Sequence, residues 1–175
     1  MSYKKHLIIL LTLSLILILT GCLGNLIPTA PSATPATDKT GILYLTPAQV
    51  NTAPSKDFKT ELRIGEVAGF KGYSVTLSYN PSHLQLQEVT EGTFLSSEGE
   101  TFFYHSIDNQ KGIVLIDCAL LGRRLAVSGE GTLANLSFTC LKSGSTDLNF
   151  SLAKTRNAHN QEIVTTKQPA VVKSK

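Results

Sequence analysis

Tyr73-Ser74-Val75-Thr76-Leu77-Ser78-Tyr79-Asn80-Pro81 is the stretch that decides how this chain folds. Large apolar or aromatic side chains hold the odd positions, and hydroxyl-bearing ones hold the even positions as far as Ser78. A period of two belongs to a β-strand, whose successive side chains point to opposite faces, so one face is buried and the other meets water. Asn80-Pro81 then ends the run, because proline has no N–H to give a ladder and asparagine readily closes a turn. The wet face is made only of Ser74, Thr76 and Ser78, so it is flat as well as polar.

The same period recurs on both sides. Phe58, Thr60, Leu62 and Ile64 alternate with Lys59, Glu61 and Arg63. Ala134, Leu136, Phe138 and Cys140 alternate with Asn135, Ser137 and Thr139, and Leu148, Phe150 and Leu152 with Asn149 and Ser151. Further strands are expected at 41–46, 84–89, 101–107, 112–121 and 170–173, with turn formers such as Glu91-Gly92, Asp108-Asn109, Ser128-Gly129 and Ser143-Gly144 between the runs. No window offers an amphipathic helix of useful length. About nine short strands with regular punctuation predict an all-β domain, a two-sheet jelly-roll sandwich.

One run departs from simple alternation. Gly112-Ile113-Val114-Leu115-Ile116-Asp117-Cys118-Ala119-Leu120-Leu121 is apolar on both faces. If Cys118 points inward, Val114, Ile116 and Leu120 join it, while Ile113, Leu115, Asp117, Ala119 and Leu121 point outward. An outward apolar stripe is covered either by a neighbouring element of the same chain or by a partner. Both readings stand at this point.

The N-terminus predicts the compartment. Lys4, Lys5 and His6 precede the apolar run Leu7–Leu19, and Leu19-Thr20-Gly21-Cys22 follows it. That order is a secretory signal peptide. A membrane-spanning helix needs about 20 apolar residues, which this run reaches only by taking in Thr20, Gly21, Gly24 and Asn25. The end of the run also resembles the bacterial lipobox, which implies cleavage before Cys22 and a lipid on its thiol. Residues 22–40 are rich in Pro, Ser, Thr and Ala and read as a tether. The expected layout is a signal peptide at 1–21, the tether at 22–40 and a domain at 41–175. The expected location is extracytoplasmic and membrane-anchored by lipid, at the cell surface. In a source with two membranes it would be the outer membrane, since Leu23 rather than Asp follows Cys22.

Composition narrows the function. The formal net charge is +3 with no Lys/Arg-rich run, so no nucleic-acid partner is expected. No CxxC and no Cys/His cluster occurs, so no metal site and no cofactor are expected. Cys118 and Cys140 close the inward sets of two strands. In an exported protein such a pair can be a disulfide, and one is expected here. There is no nucleophile elbow, HExxH or phosphate loop. His83, His105 and His159 are scattered, and Asp108 and Asp117 fall in different elements. The chain does not read as an enzyme.

Beyond these features, the segments resemble those of cohesin domains in order. Tyr73–Leu86 is similar to the family's alternating strand, its Tyr-Asp-Pro and the Leu opening the next strand. Val89, Glu91-Gly92 and Phe94-Leu95 resemble its Val-x-x-Gly-x-x-Leu segment. Gly112-Ile-Val-Leu-Ile, Gly129-Glu-Gly-Thr-Leu-Ala-Asn-Leu-Ser-Phe and Gly144-Ser-Thr-Asp-Leu-Asn-Phe resemble the three Gly-led strands that follow. The resemblance implies a nine-stranded jelly roll that docks a dockerin, a small helical, calcium-carrying module, through one flat sheet face. Carried onto this chain, the partner-binding residues are Ser74, Thr76, Ser78 and Asn80, with Leu115, Asp117 and Leu121 on the adjacent strand. Asn80 stands where the family has Asp, exchanging charge-assisted hydrogen bonds for weaker neutral ones.

Two other functions fit the same sandwich. Related folds bind carbohydrate, which would link the chain to polysaccharide binding or degradation. That role usually needs aromatic platforms; the chain has no Trp, Tyr73 and Tyr79 face inward, and Tyr44 and Tyr104 remain. A structural surface lipoprotein, pairing through the apolar stripe, is the other.

Overall fold

A computed structural model of the chain describes residues 41–175. Cys22, the signal peptide and the tether lie outside the described residues. The strands are β1 (Gly41–Thr46), β2 (Gln49–Thr52), β3 (Asp57–Ser78), β4 (Leu84–Glu91), β5 (Thr101–Asp108), β6 (Ile113–Leu120), β7 (Val127–Cys140), β8 (Gly144–Asn157), β9 (Thr165–Gln168) and β10 (Ala170–Ser174). One short helix, α1 (Thr93–Ser96), follows β4. The all-β expectation holds.

The strands number ten among the described residues, against nine expected. The runs around Phe58–Ile64 and Tyr73–Tyr79 are one continuous 22-residue strand, β3. Two short strands, β2 and β9, were not foreseen. Each lies beside a proline: Pro47 separates β1 from β2 and Pro169 separates β9 from β10, where a missing N–H interrupts the ladder. β1 runs parallel to β9 and β2 runs parallel to β10.

β3 organises the pairing. Its first half lies between β1 and β7, with Leu62 opposite both Leu45 and Ala134. Its second half lies between β6 and β8, with Thr76 opposite both Leu115 and Leu152. Pairing with β7 slips between Leu62 and Arg63, between Ile64 and Val67, and between Val67 and Phe70. These irregularities, with Gly69 at φ +64, bend the strand where it changes partners. β4 extends the first group beyond β7, and β5 extends the second beyond β6.

The core follows the period-two reading. Leu62, Ile64, Val75, Leu77, Val114, Ile116, Leu136 and Phe138 are fully enclosed. Phe138 stacks on Phe58 at 5.5 Å and meets the edge of Tyr79 at 5.3 Å, tying both halves of β3 to β7. The Tyr79 hydroxyl donates to Asn109 Oδ1 at 2.7 Å, and the Asn109 side chain also bonds both backbone groups of Leu86. One asparagine in the β5–β6 turn thus pins the end of β3 to the start of β4. Gly112 closes that turn at φ +66, and a Cβ there would overlap the Tyr79 carbonyl.

One expected inward residue is not inward. Leu152 is 38% exposed, whereas Leu148 is buried. The cause is a register shift in β8: Leu77 faces Phe150 but Thr76 faces Leu152, so Ser151 is the extra residue of a bulge. Past it the alternation inverts, and Leu152, Lys154 and Arg156 turn outward.

Candidate functional site

Side chains on the outer face of β5, β6, the second half of β3, and β8 fall into rows fixed by register. Tyr104, Asp117, Ser74 and Lys154 form one row, and Ser106, Leu115, Thr76 and Leu152 the next. Asp108, Ile113, Ser78 and Asn149 lie on one side of these, and Phe102, Ala119, Gly72 and Arg156 on the other. Adjacent strands are about 4.8 Å apart, so each row is a line of near neighbours.

The residues expected at a binding face are distributed along this surface. Ser74, Thr76, Ser78, Leu115 and Asp117 sit together at its centre, each half-buried. The inward set Val114, Ile116, Cys118 and Leu120 is buried, so the register of β6 is the one read from the sequence. Leu121 lies just past β6, 42% exposed, its N–H donating to the Glu100 carbonyl. Asn80 lies past the other end of β3. Its Oδ1 accepts from the Ser82 N–H at 3.0 Å, so the exposed side chain builds the turn.

Three features give this face its chemistry. Among the described residues, the hydroxyls of Ser74, Thr76 and Ser78 make no side-chain hydrogen bond. Asp117 Oδ1 is screened and has no protein donor. Around these polar groups lie exposed apolar side chains: Phe102 at 57%, Tyr104 at 48% and Leu152 at 38%. The sequence reading missed Phe102, Leu152, Lys154 and Arg156 as members of this surface. The alternation of Phe102-Phe103-Tyr104 is ambiguous, and the bulge at Ser151 has no sequence signature.

The opposite outer face has another character. Gln87 Nε2 donates to Thr139 Oγ1 at 3.1 Å, and that hydroxyl donates to Asp57 Oδ1 at 2.6 Å. Arg63 bonds Glu61 Oε2 and the Tyr44 hydroxyl, each at 3.2 Å, and Thr132 donates to the same carboxylate oxygen at 2.9 Å. Tyr44, one candidate sugar platform, is thus held in a polar ladder by its hydroxyl.

The expected disulfide is corrected. Cys118 and Cys140 are both free thiols, and both are buried. Cys118 Sγ donates to Glu91 Oε1 at 3.6 Å, whereas Cys140 Sγ donates to the Lys142 carbonyl at 3.4 Å. Glu91 pairs with Ala134, and Cys140 is the last residue of the same strand β7, six residues further on. At about 3.3 Å per residue that is about 20 Å, and a disulfide needs Cα atoms within about 7 Å. Both cysteines do face the core, but at different heights along it. Burial, reinforced by the Glu91 carboxylate, pushes the Cys118 thiol up to about 12. Burial likewise raises the Tyr73 hydroxyl well above its ordinary range and pushes Tyr79 up to about 12.

Among the described residues no group of three or more His, Cys, Asp or Glu comes together, and no helix is long and apolar enough to cross a membrane. His105 and His159 are exposed; His83 is half-buried, its Nδ1 without a hydrogen-bond partner.

Comparison with known proteins agrees with the fold. A cohesin-domain family profile matches residues 44–171. No curated protein matches the chain. Several solved structures share the fold. One is a type II cohesin domain from the cellulosome of Acetivibrio cellulolyticus, at TM-score 0.68 and 18% identity, covering 76% of this chain and 95% of that one. A second is a type I cohesin–dockerin complex from Clostridium thermocellum, at 0.68 and 13%, covering 78% and 99%. A third is a non-cellulosomal cohesin from the hyperthermophilic archaeon Archaeoglobus fulgidus, at 0.66 and 12%, covering 78% and 91%. Cohesin domains are non-catalytic protein-binding modules. The profile spans most of the chain and nearly all of the described core, and this chain belongs to the cohesin family.

Proposed function

We propose that the chain is a lipid-anchored extracytoplasmic module that docks a dockerin-type protein through the outer face of β5, β6, the second half of β3, and β8. The observation that carries this reading is the free hydroxyl line Ser74–Thr76–Ser78 set among Leu115, Leu152 and Ile113. Protein interfaces combine buried apolar area with regularly spaced hydrogen bonds, and this face offers both. Small side chains let a partner approach closely, and each unpaired hydroxyl can donate and accept one bond. The anchor rests on Leu19-Thr20-Gly21-Cys22. A link to polysaccharide degradation would come through the docked partner.

A panel of purified dockerin modules, titrated against residues 41–175 by calorimetry with calcium present, tests the docking. At least one saturable one-to-one complex is expected, and heat from none of them would sink the reading. Replacing Cys22 by Ala tests the anchor: the product should leave the detergent-soluble membrane fraction, and an unchanged, cleaved, detergent-requiring product would reject it.

Phe102 and Tyr104, two residues apart and both exposed on this face, favour carbohydrate binding as a second reading. Retardation in polysaccharide gels that vanishes with Tyr104→Ala would support it over docking.

A further inference from the structure

We propose that a hollow at the Gly72 end of this face is the seat of a carboxylate side chain carried by the docked protein. The inference rests on the docking reading above and adds the partner's charge and orientation.

The hollow follows from the register. Gly72 and Ala119 face each other on adjacent strands, so this row has no side chain longer than a methyl at its centre. Phe102 bounds the row on one side and Arg156 on the other. The depression has a volume of about 470 Å³. A Cβ on residue 72 would lie 2.7 Å from the Cys118 carbonyl oxygen, so the floor is glycine for want of room, and the hollow stays open.

Its walls are cationic. The bulge at Ser151 turns Lys154 and Arg156 outward, and both line the hollow together with Lys71. Arg156 Nη1 donates to the Asn160 carbonyl at 3.2 Å, and Lys71 Nζ donates to the carbonyls of Gly122 and Leu125. These carbonyls hold the cations in place but leave their charge uncompensated. The ion pairs among the described residues are Arg63–Glu61 and Lys111–Asp108, and neither involves these three cations. Lys71 also fastens the loop that carries the exposed Arg123 and Arg124. Asp117 lies across Ser74 from Lys154, the exposed Glu162 across a bridge from Arg156, and Glu91 against the Cys118 thiol; none of the three lines the hollow.

The far end of the face carries an acid instead. Asp147 lines a second depression with Ser78 and Asn149, whereas Asp108, in the Ser78 row, is already paired with Lys111. A guanidinium can hold a carboxylate through two parallel N–H···O bonds, and a surface split in charge fixes which way round a partner docks. The partner that fits therefore places an acidic side chain over Gly72.

Two measurements on residues 41–175, which carry their own core, test this. In the first, glutarate stands in for the side chain in an amide NMR titration at low salt. Saturable shifts are expected at Gly72, Ser74, Ala119 and Asn157. The double variant Lys154→Glu/Arg156→Glu should weaken them at least ten-fold, and Lys59→Glu should leave them alone; the spectra also report whether each variant is folded. No shift, or shifts that survive in the double variant, overturns the proposal. In the second, a dockerin module found by the calorimetric panel should bind the double variant at least ten-fold more weakly. Unchanged dockerin binding overturns the seat while the docking reading stands. Glutarate binding with no dockerin binding supports the anion seat and removes the dockerin.

Discussion

The two halves of β3 share one inner face and differ on the outer one. Leu62 and Leu77 are equally buried, so packing treats the halves alike. Outside, Asp57, Glu61 and Arg63 are engaged with Thr139, Thr132 and Tyr44, a ladder that satisfies itself. Ser74, Thr76 and Ser78 sit instead among exposed apolar side chains with their hydroxyls unpaired. A face that has consumed its own polar groups gains little from a partner. A face with free hydroxyls and uncovered Leu gains both hydrogen bonds and burial. The difference between the halves, more than the fold they share, points to where function lies.

The comparison can be broken or sharpened by substitution. The largest effect is expected where the halves are alike: Leu62→Ala and Leu77→Ala should each cost about 2–5 kcal/mol in denaturant unfolding. A cost confined to one of them would show that the core is not shared. Gly72→Val should come next, at about 1–3 kcal/mol, because its Cβ meets backbone rather than a movable side chain. Glu61→Ala removes the acceptor for Arg63 and Thr132 and should cost about 1 kcal/mol with partner binding unchanged. Leu115→Ala should cost less than that in stability and, as a central contact, about 2 kcal/mol in binding. Large destabilisation by Leu115→Ala would make it a core residue.

Alkaline pH acts on the core that both faces share. The Cys118 and Tyr79 acids have folded values pushed up to about 12, from ordinary values of 9.0 and 10.0. The unfolded chain therefore loses these protons first. Their contribution to stability is full below pH 9 and is lost as pH rises towards 12. Stability measured by urea unfolding should fall across that window, and less steeply in Cys118→Ala. A thiol reagent at neutral pH should leave Cys118 unmodified in the folded domain and find both domain cysteines free once it is unfolded without reductant.

Much of this was legible in the residues. Period two revealed the buried faces of β3 and β7 because one side of each strand must be apolar and the other need not be; β6, apolar on both faces, was readable only on the condition that Cys118 points inward. The period also placed Ser74, Thr76, Ser78 and Leu115 on a common outer surface once the strands were taken as neighbours. What it could not reveal was position along the strand. Cys118 and Cys140 both face inward, but alternation carries no information on height, and the bridge drawn between them failed for that reason. Nor could it reveal Ser151: one extra residue inverts every side chain beyond it, and the apolar Leu152 looks the same whichever face it occupies. β2 and β9 were missed because four-residue strands beside prolines carry too little pattern to read.

The central claim is that binding belongs to the second half of β3 and not the first. It is tested most directly by placing an opposite or bulky charge on each outer face in turn and measuring dockerin affinity beside thermal unfolding. Thr76→Arg should fold with a nearly unchanged midpoint and lose binding, while Lys59→Glu should keep both. Full binding by folded Thr76→Arg, or loss of binding by folded Lys59→Glu, would contradict the account.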